Sequence, residues 1–313
     1  MHKKISIGLM IAIVILTLIA TALVTTAVTM TAYSDLIADL PQREAMYDSL
    51  SEIDSLVRSE YLGNPEEESI DSGIAQGYID SLTVGINEYM TAEEYADYKT
   101  LQSGISLEDG SEITGVTYSK FGSAGYIKIT DFYDTTAAAF SSACTALIDN
   151  SVTGIVIDVR DTDSINIQSA ADIIDLIVPL ASDNTEAIAT AVDKDGNNIE
   201  IFSADSASID LSFAVIVNEN TRGAGELIAA DLRDFSKGSV VGKTTAGLGT
   251  YQKIYEMSDG SAVILTVGEL IPYSGESYNE TGVTPDYTSE LTQQTDDLSS
   301  DSLFLQAYAV VSQ

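Results

Sequence analysis

Gly154-Ile155-Val156-Ile157-Asp158-Val159-Arg160 is a glycine followed by a β-branched run that closes on charge, and it reads as a strand. Working outward, Gly125 to Ile129 has the same character, and Thr135 to Ile148 between them carries apolar residues at helical spacing. After the run, Ile167 to Leu180 is again helical. Strands alternating with helices in this way point to an α/β fold.

Further along, Ala187 to Val192 and Ile199 to Phe202 form a hairpin turning at Asp195-Gly196. Phe213 to Val217 reads as a buried strand and Gly225 to Phe235 as a helix, and Val240-Val241 opens another strand. A second hairpin, Tyr251 to Met257 with Ala262 to Val267, turns at Asp259-Gly260, and Asp301 to Val311 closes the chain as an amphipathic helix. Asp193 to Asn197 has its glycine too early for a calcium loop and is a hairpin turn instead.

Ahead of the core, apolar residues from Leu36 to Val57 recur three or four apart, which predicts a helix over about 35–61, with Pro41 as an early break. A second helix is expected from Ser69 to about Leu82. A third is expected over Ala92 to Leu101, capped by Thr91 with Glu94 at the capping-box position. From Ile5 to Ala32 no residue is charged, a stretch of about 28, and Lys3 and Lys4 precede it. About 20 apolar residues cross a bilayer, so a single-pass anchor is expected, with its N-terminus cytoplasmic and the main domain outside the cytoplasm. A cleaved signal peptide is the rival. The expected division is 1–34 anchor, 35–104 helical segment, 105–290 core and 291–313 C-terminal helix.

Composition narrows the chemistry. The chain of 313 residues, 45% of them hydrophobic, can bury a sizeable core. Its formal charge of -34 repels phosphate backbones, which excludes nucleic acid as a partner. The single cysteine, Cys144, falls among Phe140, Ala143 and Leu147 at helical spacing and is expected to pack in the core. The only histidine is His2, beside the initiator methionine, so no Ser-His-Asp triad, Cys-His pair or histidine metal site is available, and no metal or cofactor is expected.

Several strings together resemble the C-terminal processing peptidases, or tail-specific proteases, a family of bacterial serine peptidases. Gly77-Tyr78-Ile79-Asp80-Ser81-Leu82 and Tyr89 to Tyr95 look like the family's helical segment. Gly125 to Phe132 looks like its first core strand, and Gly154 to Arg160 like its G-x-x-x-D-L-R strand. Gly242-Lys243-Thr244-Thr245, Asp259 to Ala262, Leu265-Thr266 and Gly282 to Asp286 continue the likeness to the end of the core. The resemblance implies a crotonase/ClpP-like core of repeated β-β-α units.

In that family a serine in S-A-S-A-S-E attacks the peptide carbonyl and a lysine in G-K-G-x-x-Q accepts its proton, a role open to lysine only where enclosure lowers its pKa. The corresponding strings here are Thr221-Arg222-Gly223-Ala224-Gly225-Glu226 and Gly247-Leu248-Gly249-Thr250-Tyr251-Gln252. The resemblance therefore puts Gly223 at the nucleophile's position and Leu248 at the base's, and only Gln252 is retained. The family's D-L-R-x-N-P-G-G turn, whose amides help hold the oxyanion, has become Asp158 to Ile165, where side chains restrict the backbone and Asp161 and Asp163 add negative charge. Losing the nucleophile alone costs on the order of a million-fold in a serine peptidase. A substrate-capturing PDZ domain of roughly 80 to 90 residues is also expected in this family, yet only Gln102 to Ser119 fills its interval.

The expected function is thus that of a pseudopeptidase. Its candidate partners are extracytoplasmic peptides, protein C-termini or an active peptidase relative. The alternative is an active serine-type peptidase with relocated residues, using Thr221 or Ser239 with Lys243 or Lys253.

Overall fold

The computed structural model describes residues 7–38, 40–106, 108–178, 186–205, 208–289, 295 and 297–312. His2 and the end of the helix expected to reach Leu180 lie outside them. The chain divides into two compact units, Met1–Asp71 and Ser72–Gln313.

The first unit holds α1 (Ile7–Ala38) and α2 (Leu40–Glu60), and α3 (Glu67–Asp80) begins in it. Pro41 is the second residue of α2. The expected membrane anchor, and with it the single-pass topology, is corrected here: among the described residues no helix is long and apolar enough to cross a membrane.

The second unit continues with β1 (Glu88–Met90), α4 (Ala92–Gln102), β2 (Val116–Phe121), β3 (Ala124–Ile129), α5 (Thr136–Asp149), β4 (Gly154–Asp158), β5 (Asp163–Ser164) and α6 (Ile167–Asp175). There follow β6 (Glu186–Val192), β7 (Asn198–Ala204), β8 (Ser212–Val217), β9 (Arg222–Gly223), α7 (Ala224–Asp234), β10 (Gly238–Gly242), β11 (Thr250–Glu256), β12 (Ala262–Pro272), β13 (Tyr287–Thr288) and α8 (Ser302–Val311). The capping box on α4 is formed, with Thr91 Oγ1 accepting from Glu94 N and the Glu94 carboxylate accepting from Thr91 N.

Among the described residues a six-stranded sheet runs β13-β10-β8-β4-β3-β2, parallel except for the β2–β3 pair. All five residues of β4 are buried because both faces are covered. Ile155 and Ile157 join Phe140, Leu147, Ile173 and Leu227 of α5, α6 and α7 on one face. Val156 turns the other way and meets Leu303, Phe304 and Val311 of α8. Burying each such side chain contributes about 1.5–3 kcal/mol.

The second sheet, β1-β12-β6-β7 with β11 also on β12, is antiparallel. Its strand β12 extends past the expected Val267 to Pro272 to pair with β6. The Asp193–Asn197 string is the hairpin turn expected: Asp193 Oδ1 accepts from Asp195 N and Asn197 N. Cys144 is buried in the core, which pushes its thiol up to about 12.

Arg160 bridges β4 to α8 beneath the sheet, pairing with Asp158 at 2.5 Å and with Asp301, the N-cap of α8, at 2.8 Å. Asp231 in α7 has no such partner. It is fully buried, Tyr273 N donates to its Oδ1 at 3.0 Å, and its Oδ2 has no hydrogen bond. Burial raises its pKa well above the usual carboxylate range, and Asp234 adds to the shift. An unfolded aspartate ionises near about 3.9. The folded protein therefore holds its proton to higher pH, and stability falls as pH rises above that value through the folded pKa. Asp231→Asn is expected to flatten this fall and to raise the melting temperature at pH 8 by about 2–4 °C, on the order of 1 kcal/mol, in scans between pH 5 and 8.

Candidate functional site

Gly223 stands where β9 turns into α7, with φ 59° and ψ −112°. A side chain is strained at such a positive φ. Space forbids one as well. β9 pairs in parallel with β5, setting Ser164 opposite Gly223, and a Cβ on Gly223 would lie 2.2 Å from the Ser164 carbonyl oxygen.

Leu248 closes the other side. It is buried, and its Cδ2 lies 3.6 Å from the point such a Cβ would occupy. The structure thus brings Gly223 and Leu248 together from 25 residues apart (248 − 223), and the space between them is filled by hydrocarbon.

Glu226 holds this arrangement. From the N3 position of α7 its buried carboxylate accepts from Gly223 N at 3.0 Å, as in a capping box. It also accepts from Leu248 N at 2.8 Å, Gly247 N at 2.6 Å and the Thr245 hydroxyl at 2.5 Å. Thr245 Oγ1 in turn accepts from Val283 N at 2.7 Å. Burial pushes the Glu226 carboxyl up, against the pull of its four donors. Gly247, at φ +84°, lies so near the 280–282 loop that a Cβ on it would be 2.8 Å from Gly282 N.

The turn after β4 is locked by side chains. Asp161 adopts φ +62°, so a residue expected to restrict the backbone takes the left-handed geometry a glycine would. Asn218 and Asn220 explain it, donating their amides to Asp161 Oδ1 at 2.7 and 2.8 Å. Asp161 N donates to Asn218 Oδ1 at 3.1 Å and Thr162 N to Val159 O at 3.4 Å, so these two amides are already committed. Asp163 is paired with Arg222 at 3.1 Å.

Gln252 is buried, and its Nε2 donates to Thr250 Oγ1 at 2.7 Å and Thr266 Oγ1 at 3.2 Å. The Thr266 hydroxyl donates to Ile86 O at 2.9 Å, so it can only accept from Gln252, which fixes the amide's orientation. Gln252 Oε1 then has no donor.

The four residues considered for relocated chemistry have other surroundings. Thr221 is fully buried and its hydroxyl lies 3.0 Å from Val159 O. Lys243 pairs with Glu219 at 2.9 Å, Lys253 lies over the Tyr251 ring at 5.9 Å, and Ser239 is on β10 opposite Ala214. Asn218 and Asn220 carry no motif of their own in the sequence, and the β5–β9 pair is too short to leave a periodic signal.

The family model described as "Peptidase family S41" matches residues 123–289. Among curated proteins, the chloroplastic C-terminal processing peptidase of Tetradesmus obliquus is 33% identical over 164 residues, covering 52% of this chain and 34% of that protein. The carboxy-terminal processing protease CtpA of Bacillus subtilis is 30% identical over 167 residues, 53% of this chain and 35% of that protein. The matched span is thus about a third of the length of these relatives.

Among solved structures, the photosystem II D1 C-terminal processing protease superposes with a TM-score of 0.50 at 28% identity, covering 58% of this chain and 50% of that one. A lipoprotein from Streptococcus agalactiae shares the fold, with a TM-score of 0.58 at 16% identity over 80% of this chain and 83% of that one. This chain belongs to peptidase family S41, the family of the serine-type C-terminal processing peptidases.

Proposed function

We propose that the chain is a pseudopeptidase, which keeps the S41 core, does not cut, and acts by binding peptides, protein C-termini or an active relative. Gly223, Leu248 and Gln252 are the positions of the family's nucleophile, base and retained glutamine. The observation that carries this is the Ser164 carbonyl, 2.2 Å from any Cβ that Gly223 could bear. The position is built around the absence of a side chain, and the buried Leu248 beside it cannot carry a proton. The successive units β2-β3-α5, β4-β5-α6 and β8-β9-α7 support a crotonase/ClpP-like core. Polypeptide ligands are supported by the relatives' names, which are those of C-terminal processing peptidases.

An active enzyme with relocated residues has less support, because the buried Thr221 hydroxyl faces a backbone carbonyl and Lys243 pairs at the surface. Incubation with a fluorophosphonate followed by intact-mass measurement is expected to give no adduct, and an unstructured protein substrate is expected to survive intact. Stoichiometric labelling that vanishes when one Ser or Thr is replaced would sink the proposal.

A further inference from the structure

Beside the filled site lies an open cleft of about 410 Å³. Ile165, the neighbour of Ser164, forms part of its wall, and so does Gln252, four residues beyond Leu248. Three aromatic side chains, Tyr98, Phe202 and Tyr251, supply apolar surface together with Ile165, Ile167 and Ile254, and Phe202 meets Tyr251 edge to face at 6.0 Å between centroids. Two carboxylates, Asp134 and Glu200, stand among them, and no lysine or arginine belongs to the wall.

One buried acceptor in the wall of the cleft is without a donor. Gln252 is 7% exposed and its Oε1 has no partner. Thr266 fixes that oxygen's orientation, because its own hydroxyl donates to Ile86 O. Asp134 receives one long bond, 3.3 Å from Asn166 Nδ2, which also donates to Gln102 Oε1 at 3.4 Å. A buried acceptor left unpaired is unfavourable, so a ligand that brings an N–H group recovers that loss.

The field has the same sign. Tyr98 is pushed up to about 12 by burial first and then by Asp134, Glu88 and Asp131. Tyr251 is raised by burial and then by Glu200. Negative charge therefore reaches both ring hydroxyls. Aromatic faces beside carboxylates attract an organic cation twice over, through the ring quadrupole and through charge. Lys253, 5.9 Å above the Tyr251 ring, already uses that ring in this way at the limit of range.

We propose that this cleft receives a basic side chain, the guanidinium of arginine or the ammonium of lysine, from a peptide bound alongside Gly223 and Leu248. Carboxylates of Asp134 and Glu200 take the charge, Tyr98 and Tyr251 flank the methylenes, and Gln252 Oε1 accepts an N–H. This rests on the peptide-binding function proposed above and adds the class of side chain. It also gives Gln252 a use that does not require catalysis.

The test titrates the full chain with a fluorescent pentapeptide bearing a central arginine. Its partner carries citrulline, which has the same shape without the charge. The arginine peptide is expected to bind at least tenfold more tightly and to be recovered intact. The preference should shrink with added salt and disappear in Asp134→Asn/Glu200→Gln, whose exposed positions leave the melting temperature unchanged.

Equal affinity of the two peptides would overturn the basic-side-chain assignment while leaving the pseudopeptidase proposal to the labelling experiment. Absence of binding by either peptide at millimolar concentration would also overturn it. If putrescine binds more tightly than the arginine peptide, a free amine is the ligand, and the peptide source is wrong.

Discussion

Gly223→Ser combined with Leu248→Lys will restore neither fluorophosphonate labelling nor peptide cleavage, and the double variant will melt below the parent. The new Cβ would meet the Ser164 carbonyl at 2.2 Å, and the β5–β9 pair holds that carbonyl in place. A side chain at φ 59° adds strain of about 1–3 kcal/mol. For a unit the size of Ser72–Gln313 each kcal/mol lowers the melting temperature by about 2–4 °C, so a loss of at least 2 °C is expected. Lysine at position 248 would exchange buried hydrocarbon for an amine beside Glu226, whose oxygens are already engaged. Rescue requires the turn from Asp161 to Ile165 to be rebuilt so that Ser164 withdraws. Calorimetry and intact-mass labelling check both halves. Near-stoichiometric labelling of the double variant at unchanged melting temperature would show that the turn yields easily.

Glu226→Ala is expected to be the more damaging substitution, although it removes no chemistry. Three backbone amides and the Thr245 hydroxyl lose their acceptor at once in a buried place. Each unpaired group costs about 1–3 kcal/mol, so denaturant unfolding should report a loss of about 4 kcal/mol or more. Amide exchange at Gly223, Gly247 and Leu248 should accelerate together. Glu226→Gln should fall between the two, because its amide would turn an N–H pair toward two donors. A loss under about 1 kcal/mol for the alanine variant would mean that packing around Gly247, and not the carboxylate, joins the two segments.

These two variants locate the boundary between what a family pattern implies and what the packing does. In the family string, Glu226 looks like one letter beside the nucleophile. Among the described residues it is the side chain bonded to both Gly223 and the 247–248 segment. Its place there has a use without catalysis, since the same bonds hold the two segments together whether or not a serine and a lysine stand between them.

The strand from Gly154 to Asp158, the helices on α/β spacing and both hairpins were legible along the chain. Their signals are local: a two-residue or three-to-four-residue period, a capping box at Thr91, and glycines at Gly196 and Gly260 with positive φ. A charge-free stretch predicts an anchor, but length without charge is only a necessary condition for a span, and among the described residues no helix is long and apolar enough to cross a membrane. That Gly223 lacks a nucleophile and Leu248 a titratable group is a matter of composition, decided by the sequence alone. That no side chain fits at Gly223 was decided only by the tertiary structure. It depends on Ser164, 59 residues away (223 − 164), meeting Gly223 across a two-residue parallel pair that Asn218, Asn220 and Asp161 help to lock. Contacts of that range leave no periodicity and no motif, because they arise from where the sheet brings two turns together.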